Sequence, residues 1–216
     1  MSIVSASLLS ADFSNLGKGA QSALTAGSDW LHFDVMDGVF VPNLTFGAPV
    51  LSALSNAVKA VYDVHLMIKN PHPYIKQFAK AGADYITVHL ESDGDTSLAL
   101  DEIHAAGAKA GVSVKPNTDI KEIYPLLEKT DMVLIMTVEP GFGGQSFNEN
   151  MLEKIAQLRN EIKSRGRDIL IEVDGGINAE TGAKCVQNGA DVLVAGSYIY
   201  GAEDMAAAVA SLRKEA

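Results

Sequence analysis

Cysteine and long apolar runs are scarce in this 216-residue chain, and both absences narrow its class. The one cysteine, Cys185, has no partner for an internal disulfide, which is typical of a reducing compartment. It lies in AKCVQNGAD, a predicted helix just before a strand, which indicates a buried structural side chain. No stretch reaches the roughly 18 apolar residues that a membrane span needs, so we expect none. The N-terminus also lacks the positive and apolar regions of a signal peptide, which predicts a cytoplasmic protein.

Positive charge is also in short supply. The chain has 17 lysine and arginine residues against 27 aspartate and glutamate residues, so its formal net charge is -10. Such a surface repels nucleic acid and anionic membranes at long range, and we expect neither as a partner. It would repel an anionic small molecule as well, so any phosphate site must be built locally. Hydrophobic residues, at 47%, still suit a globular protein with a sizeable core.

Short β-branched and apolar runs alternate with helix-like segments from one end of the chain to the other. Eight runs are predicted as strands, and they begin near Ile3, Trp30, Val61, Tyr85, Gly111, Met132, Ile169 and Val192. Between them, apolar residues recur at three- and four-residue spacing, as in HPYIKQFAKAG and DIKEIYPLLEK, which indicates amphipathic helices. Several segments stop at glycines that are expected to cap helix C-termini: Gly27, Gly82, Gly107, Gly166 and Gly189.

This alternation predicts a parallel sheet covered by helices, an α/β fold. Eight such units closing on themselves form a (β/α)8 TIM barrel, and we predict that residues 1–216 form this single domain. A doubly wound open sheet is the alternative. It usually has fewer strands, and no G-x-G-x-x-G follows the first strand here.

Polar residues lie where a barrel carries its chemistry, at the carboxyl ends of strands. His32 and Asp34 are two residues apart in the second strand, so both side chains point to the same side. His65 ends the third strand, and Asp174 ends the seventh. Two carboxylates buried together are costly unless something positive pairs with them, and no lysine or arginine is obviously placed to do so. The pattern predicts a single divalent metal ion bound by these four residues.

The ligand types narrow the identity of that ion. Histidine nitrogen combined with carboxylate oxygen favours zinc, ferrous iron, manganese or cobalt over magnesium or calcium. Taken alone, His32 could be a core histidine with satisfied hydrogen bonds, because His-x-Asp is a weak motif. His89, in ITVHLE, also ends a strand and is a fifth candidate ligand. His72 and His104 fall in helical segments and are expected on the surface.

Glycine-rich stretches follow the last three predicted strands: TVEPGFGGQ, DGG and AGS. Glycines let backbone N–H groups approach an anion closely, and the Gly196–Ser197 step also opens a short helix whose N-terminus favours negative charge. Any one of these loops could be only a tight turn between strand and helix. Three loops at one barrel mouth predict a phosphate site.

Four further residues lie on the same rim. Met36, Met67 and Met136 follow or end strands. Methionine commonly fills gaps in a core, but beside the predicted ligands these three favour a dry, polarizable surface under a substrate. Ser7 ends the first strand, where it is either a turn or helix-cap residue or a donor to a substrate hydroxyl.

Five segments of the chain closely resemble the D-ribulose-5-phosphate 3-epimerase family: HFDVMDGVFVPNLTFG, DVHLMIKNP, MTVEPGFGGQSF, EVDGGIN and VAGSYIY. The resemblance extends along essentially the whole chain, including SASLLSADF near its start. It implies a barrel of the ribulose-phosphate-binding type and the reversible interconversion of D-ribulose 5-phosphate and D-xylulose 5-phosphate in the pentose phosphate pathway. It also implies homo-oligomers.

The resemblance assigns roles to individual residues. It implies that Asp34 accepts a proton, that Asp174 donates one, and that both join His32 and His65 in binding a metal, usually zinc or ferrous iron. The family's methionine ring is matched by Met36, Met67 and Met136. Its substrate contacts are matched by Ser7, His65, Gly141, Phe142, Gly143, Gly144, Asp174, Gly175, Gly176, Gly196 and Ser197.

The reaction suits two acid–base groups. Epimerisation removes a proton from one face of a carbon and returns one to the other, and Asp34 and Asp174 arrive from different sides of the mouth. The proton is α to a ketone, so an enediolate intermediate follows. Three alternatives stay open: D-allulose-6-phosphate 3-epimerase, a metal-free phosphate-binding barrel of the tryptophan-biosynthesis type, and a non-catalytic sugar-phosphate-binding protein.

Overall fold

The computed structural model describes residues 2–213, in which eight parallel strands close into a barrel in sequence order. The strands are β1 (Ile3–Ser7), β2 (Trp30–Met36), β3 (Val61–Met67), β4 (Tyr85–His89), β5 (Lys109–Val114), β6 (Met132–Met136), β7 (Leu170–Asp174) and β8 (Val192–Ala195). Pairing of β8 with β1 closes the ring. The predicted (β/α)8 barrel is confirmed, and the open-sheet alternative is excluded.

Helices fill the connections between the strands. They are α1 (Leu16–Thr25), α2 (Ala48–Ala57), α3 (Ile75–Lys80), α4 (Thr96–Ala105), α5 (Met151–Ser164), α6 (Ala179–Gln187), α7 (Ser197–Tyr200) and α8 (Met205–Leu212). More tightly wound 3-10 helices occupy Leu8–Ser10, Phe13–Asn15 and Ile120–Lys129. Within residues 2–213, no helix has the length and apolar character to cross a membrane.

The segment DIKEIYPLLEK differs from its expected amphipathic α-helix. Its ten residues Ile120–Lys129 form a 3-10 helix that contains Pro125. Proline has no backbone N–H, and its ring clashes with the carbonyl four residues earlier, so an α-helix cannot continue through it. The apolar face is nevertheless buried as predicted, with Ile120, Ile123 and Leu127 inside.

Helix ends and the single cysteine match the expectations from sequence. All five glycines predicted to end helices have positive φ, between 62° at Gly166 and 111° at Gly189. That conformation is one that only glycine adopts without strain. Cys185 lies in α6 with none of its surface exposed, and burial raises the pKa of its thiol to about 12. A thiol held in its protonated form is a structural side chain.

Each even-numbered strand is preceded by an aspartate that binds the preceding odd-numbered strand. Its side chain accepts a hydrogen bond from the backbone N–H of the second residue in that strand, and its own N–H donates to the same residue's carbonyl. The four side-chain bonds, each 2.8 Å, join Asp29 to Val4, Asp84 to Tyr62, Asp131 to Ala110 and Asp191 to Ile171. The four backbone bonds measure 2.8–2.9 Å. These aspartate clamps lie at the amino ends of the strands.

Glycine at position 111 is required by the barrel interior. Gly111 in β5 pairs with Thr87 in β4, and a Cβ there would lie 2.1 Å from the Thr87 Oγ1 and 3.1 Å from its Cα. We expect Gly111→Ala to lower the free energy of unfolding by about 1–3 kcal/mol through overpacking. Urea denaturation measures the change.

Gly17→Ala is the matched control, because Gly17 lies in α1 and a Cβ there would have no neighbouring atom within 4 Å. Alanine should raise the free energy of unfolding there by about 0.5–1 kcal/mol. A Gly111→Ala protein that unfolds at the wild-type urea concentration would contradict this account of the interior.

Candidate active site

The barrel brings together the four side chains predicted as metal ligands. His32, Asp34, His65 and Asp174 each offer a ligand atom, and these atoms lie within 4.8 Å of one another. Asp34 is central: its Oδ1 is 3.3 Å from the His32 Nε2 and 3.5 Å from the His65 Nδ1. The Asp174 Oδ2 is 4.0 Å from the same His32 nitrogen. His32 and Asp34 point to the same side of β2 because they are two residues apart, and Asp34 lies beside His65 of β3 in the strand register.

Two unpartnered nitrogens show that this cluster fits a cation. The His32 Nε2 and the His65 Nδ1 are buried and have no hydrogen-bond partner. Leaving a buried polar atom unpaired costs free energy, on the order of 1–3 kcal/mol each. Both nitrogens face the Asp34 carboxylate. Two imidazole nitrogens beside two carboxylates are a suitable ligand set for a divalent metal ion.

The two carboxyl groups of the cluster have pKa values shifted in opposite directions. Burial acts to raise the pKa of Asp34, but the neighbouring imidazoles of His32 and His65 outweigh burial and lower it. The Ser7 hydroxyl also donates to the Asp34 Oδ2 over 2.7 Å. Burial, and then the charge of Asp34, raise the pKa of Asp174. The ionised form is therefore favoured at Asp34, and the protonated form is retained to higher pH at Asp174.

A second acidic layer lies one step deeper in the barrel, and sequence reasoning missed it. Asp63 and Glu172 are fully buried, two residues before His65 and Asp174. The Asp63 Oδ2 is 2.5 Å from the His32 Nδ1, so Asp63 accepts the proton on that nitrogen and leaves the His32 Nε2 lone pair free. Asp63 and Glu172 could have been found from the same two-residue spacing that links His32 to Asp34, because side chains two residues apart in a strand point to the same side.

The remaining histidines lie outside the four-residue cluster. His89, the fifth candidate ligand, is fully buried, and its Nε2 lies 2.8 Å from the His65 Nε2. His104 lies in α4 with 42% of its side chain exposed, as expected for a surface residue. His72 precedes α3 in a turn rather than in a helix, and its Nδ1 pairs with the Glu102 Oε2 at 2.7 Å.

A cavity of about 600 Å³ opens at the carboxyl ends of the strands. The predicted site residues that line it are Ser7, Asp34, Met36, Met67, Met136, Gly141, Phe142, Gly143, Gly144, Asp174, Gly175, Gly176, Gly196 and Ser197. His32 and His65 are fully buried and do not line it. The three methionines are at most 4% exposed, and Met36 pairs with Met67 across β2 and β3.

The glycine-rich loops after β6 and β7 pack closely on each other at the cavity. Gly176 has a φ of +66°, and a Cβ there would lie 2.5 Å from the backbone N of Phe147 and 2.9 Å from the carbonyl O of Gln145. The Thr137 hydroxyl, at the end of β6, lies 2.8 Å from the carbonyl of Asp174 and so links the two strand ends. The third loop places Gly196 at the N-terminus of α7.

Comparison with known proteins agrees with this geometry. The family model described as the Ribulose-phosphate 3 epimerase family matches residues 3–200. The ribulose-phosphate 3-epimerase of Mycobacterium bovis is 45% identical over 214 residues, which cover 99% of this chain and 93% of that protein. The cytoplasmic isoform of rice is 45% identical over 98% of this chain and 92% of its own length. The chloroplastic ribulose-5-phosphate-3-epimerase of Arabidopsis thaliana is also 45% identical, over 98% of this chain and 76% of its own length.

Solved structures share the architecture at lower identity. The 3-hexulose-6-phosphate synthase of Salmonella typhimurium superposes with a TM-score of 0.69 at 20% identity, covering 98% of this chain and 96% of that one. That likeness concerns the fold alone. The family assignment depends instead on the sequence match to the family model and on the relatives that are 45% identical over nearly their whole length. These two findings show that the chain belongs to the ribulose-phosphate 3-epimerase family.

Proposed function

We propose that the chain, acting as one catalytic domain over residues 1–216, interconverts D-ribulose 5-phosphate and D-xylulose 5-phosphate by moving a proton at carbon 3. The observation that carries this proposal is the pair Asp34 and Asp174. The two carboxyl groups reach one cavity from β2 and β7, and their pKa values shift in opposite directions. A proton acceptor and a proton donor on opposite faces invert a carbon centre most simply.

In the forward direction Asp34 accepts the proton from carbon 3, and Asp174 delivers a proton to the opposite face. The proton removed is α to the ketone, so the electron pair left behind forms an enediolate. The Ser7 hydroxyl, which donates to the Asp34 Oδ2, orients this carboxylate toward the carbon. In the reverse direction the two carboxyl groups exchange roles. General acid–base catalysis of this kind contributes about 10²–10⁴-fold to the rate.

His32, Asp34, His65 and Asp174 would hold one divalent metal ion. We propose zinc or ferrous iron, with manganese or cobalt compatible with the same ligands. When bound, the ion supplies positive charge that stabilises the enediolate. The histidine arrangement supports this assignment, because the His32 Nε2 and the His65 Nδ1 are the buried nitrogens without other partners.

The substrate phosphate is proposed to bind the glycine-rich loops that follow β6, β7 and β8. The predicted contacts are Gly141, Phe142, Gly143, Gly144, Gly175, Gly176, Gly196 and Ser197, all of which line the cavity. The chain has a net charge of -10, and no lysine or arginine in the described part of the chain lines the cavity, so backbone donors are the groups proposed to bind the anion there. Met36, Met67 and Met136 form an apolar surface beside the reacting carbon, and His65 remains a predicted substrate contact.

The comparisons bear on the alternatives. D-Allulose-6-phosphate epimerisation is not favoured, because the relatives at 45% identity are named for ribulose phosphate.

We propose a cytoplasmic homo-oligomer. The name of the rice relative supports the location, although the Arabidopsis relative is named chloroplastic. Light scattering on the purified protein tests the assembly.

The acid–base pair is tested by removing each charge. We expect Asp34→Asn and Asp174→Asn each to lower kcat by about 10²–10⁴-fold or more, because an amide neither accepts nor carries the proton. A coupled assay of xylulose 5-phosphate formation measures both. Asp84→Asn is the matched control at the opposite end of the barrel, and it should keep the wild-type kcat. Near-normal turnover in either active-site variant would rule out the two-base scheme.

Isotope exchange tests the proton route independently. In deuterium oxide, the product should carry deuterium at carbon 3, because the proton that Asp174 returns comes from solvent. Mass spectrometry and proton NMR of the product measure the label. An epimerised product without deuterium would exclude an enediolate reprotonated from solvent.

The phosphate loops are tested at Gly176. Alanine there would force the backbone at Gln145 and Phe147 to move, so we expect Gly176→Ala to raise the KM for D-ribulose 5-phosphate at least about tenfold, the cost of roughly one lost hydrogen bond to a charged group. Gly107→Ala is the control, since Gly107 also has a positive φ of 90° but no neighbour within 4 Å. It should lower stability and leave KM unchanged. An unchanged KM in Gly176→Ala would place the phosphate elsewhere.

A further inference from the structure

The buried His89 and the half-buried Glu91 form a hydrogen-bonded chain that the proposed reaction does not use. The His89 Nε2 lies 2.8 Å from the His65 Nε2, and the His89 Nδ1 lies 3.1 Å from the Glu91 Oε2. At the far end of the chain, the His65 Nδ1 has no hydrogen-bond partner and lies 3.5 Å from the Asp34 Oδ1. The chain therefore runs from the edge of the barrel to the carboxylate at the centre of the site.

The donors around Glu91 determine the direction of every bond in this chain. The Glu91 Oε1 accepts from the backbone N–H of Lys115 over 2.8 Å and from the Thr118 hydroxyl. A carboxylate with donors on one oxygen and a ring nitrogen on the other is an acceptor, so the His89 Nδ1 carries the proton. In a neutral ring the His89 Nε2 is then an acceptor. It receives the Nε2–H of His65, which leaves the His65 Nδ1 with its lone pair.

Packing holds both rings in this arrangement. His65 and His89 are fully buried on the neighbouring strands β3 and β4. The ring of Phe40 contacts His89 with centroids 4.8 Å apart, and the Lys115 ammonium lies 4.0 Å from the centroid of the same Phe40 ring. A ring enclosed in this way keeps its orientation, and the proton positions follow from the hydrogen bonds alone.

We propose that His89 and Glu91 are positioning residues that fix the tautomer of His65, so that its Nδ1 lone pair is directed at the metal site. This inference rests on the proposed function. A ligating histidine ordinarily donates its other N–H to a carboxylate or carbonyl. His32 does so directly, to Asp63. His65 reaches its carboxylate through a second imidazole.

The extra ring has an electrostatic advantage. A carboxylate in direct contact with His65 would add another negative charge beside Asp34 and Asp63, in an interior where like charges repel strongly. With His89 in between, the charge lies on Glu91, whose side chain is 22% exposed and which receives two other hydrogen bonds. The orientation of His65 is thus controlled by a carboxylate outside the crowded interior.

Cobalt(II) binding to the full-length, metal-stripped protein tests the proposal. Competition with a fluorescent chelator gives the Kd, and the visible spectrum of bound cobalt reports its ligands. His89→Phe keeps a ring of similar shape but offers no acceptor to His65, so we expect about 10–100-fold weaker binding and an altered spectrum. His89→Gln offers an amide oxygen to the same N–H and should recover much of the affinity.

His72→Phe is the matched control. His72 pairs with Glu102 as His89 does with Glu91, but outside the barrel, so its loss should leave cobalt binding unchanged. The proposal is overturned if wild type and His89→Phe bind cobalt equally, or if His89→Gln loses as much as His89→Phe with the wild-type spectrum in both. Failure of the wild type to bind cobalt would instead contradict the metal site of the proposed function.

A second measurement needs no variant. Long-range proton–nitrogen NMR spectra of the metal-free protein report which nitrogen of each histidine carries the proton. We expect His65 to be protonated at Nε2 and His89 at Nδ1. A wild-type spectrum with His65 protonated at Nδ1 would overturn the proposal whatever the variants do.

Discussion

Buried negative charge is the constraint on which the interior of this barrel depends. Asp34, Asp63, Asp174 and Glu172 project into one interior, and among residues 2–213 their ion-pair partners are histidines rather than lysine or arginine. The pKa of each acid depends on the charges of its neighbours. Burial, and then the charge of Asp63, raise the pKa of Glu172, whereas the pKa of Asp63 is lowered by His32 in spite of burial. Protons on some of these acids and the proposed metal ion would together reduce the negative charge of the interior.

The same constraint links the proposed metal site to the proposed proton transfer. A pair of equivalent carboxyl groups would give an enzyme no preference for which one carries the proton. Here Asp34 has two imidazoles beside it, while Asp174 lies partly open to the cavity and close to the charge of Asp34. The pKa of one carboxyl group is thereby lowered and that of the other raised, although both are aspartates near strand ends.

Much of this arrangement could be predicted from sequence, because period-two alternation and the strand-end rule each depend on local pattern. Those rules found His32, Asp34, His65 and Asp174, and eight repeats predicted the closed barrel. They missed Asp63 and Glu172, because these residues lie two positions before the strand-end residues His65 and Asp174. The link between His89 and His65 depends on ring orientation, which no spacing encodes. Pro125 was visible in the sequence, yet the amphipathic pattern around it still suggested an α-helix.

The four aspartate clamps divide the barrel into pairs of strands. Each clamp side chain joins an odd strand to the even strand that follows it. The backbone carbonyls of Asp84, Asp131 and Asp191 also accept hydrogen bonds from the first residue of the next odd strand. A circular permutant that opens between α2 and β3 would keep every clamp, whereas one that opens between α1 and β2 would place the two partners of a clamp at opposite ends of the chain. The side-chain clamps thus mark four strand pairs at the base of the barrel, and the residues of the cavity are shared among these pairs.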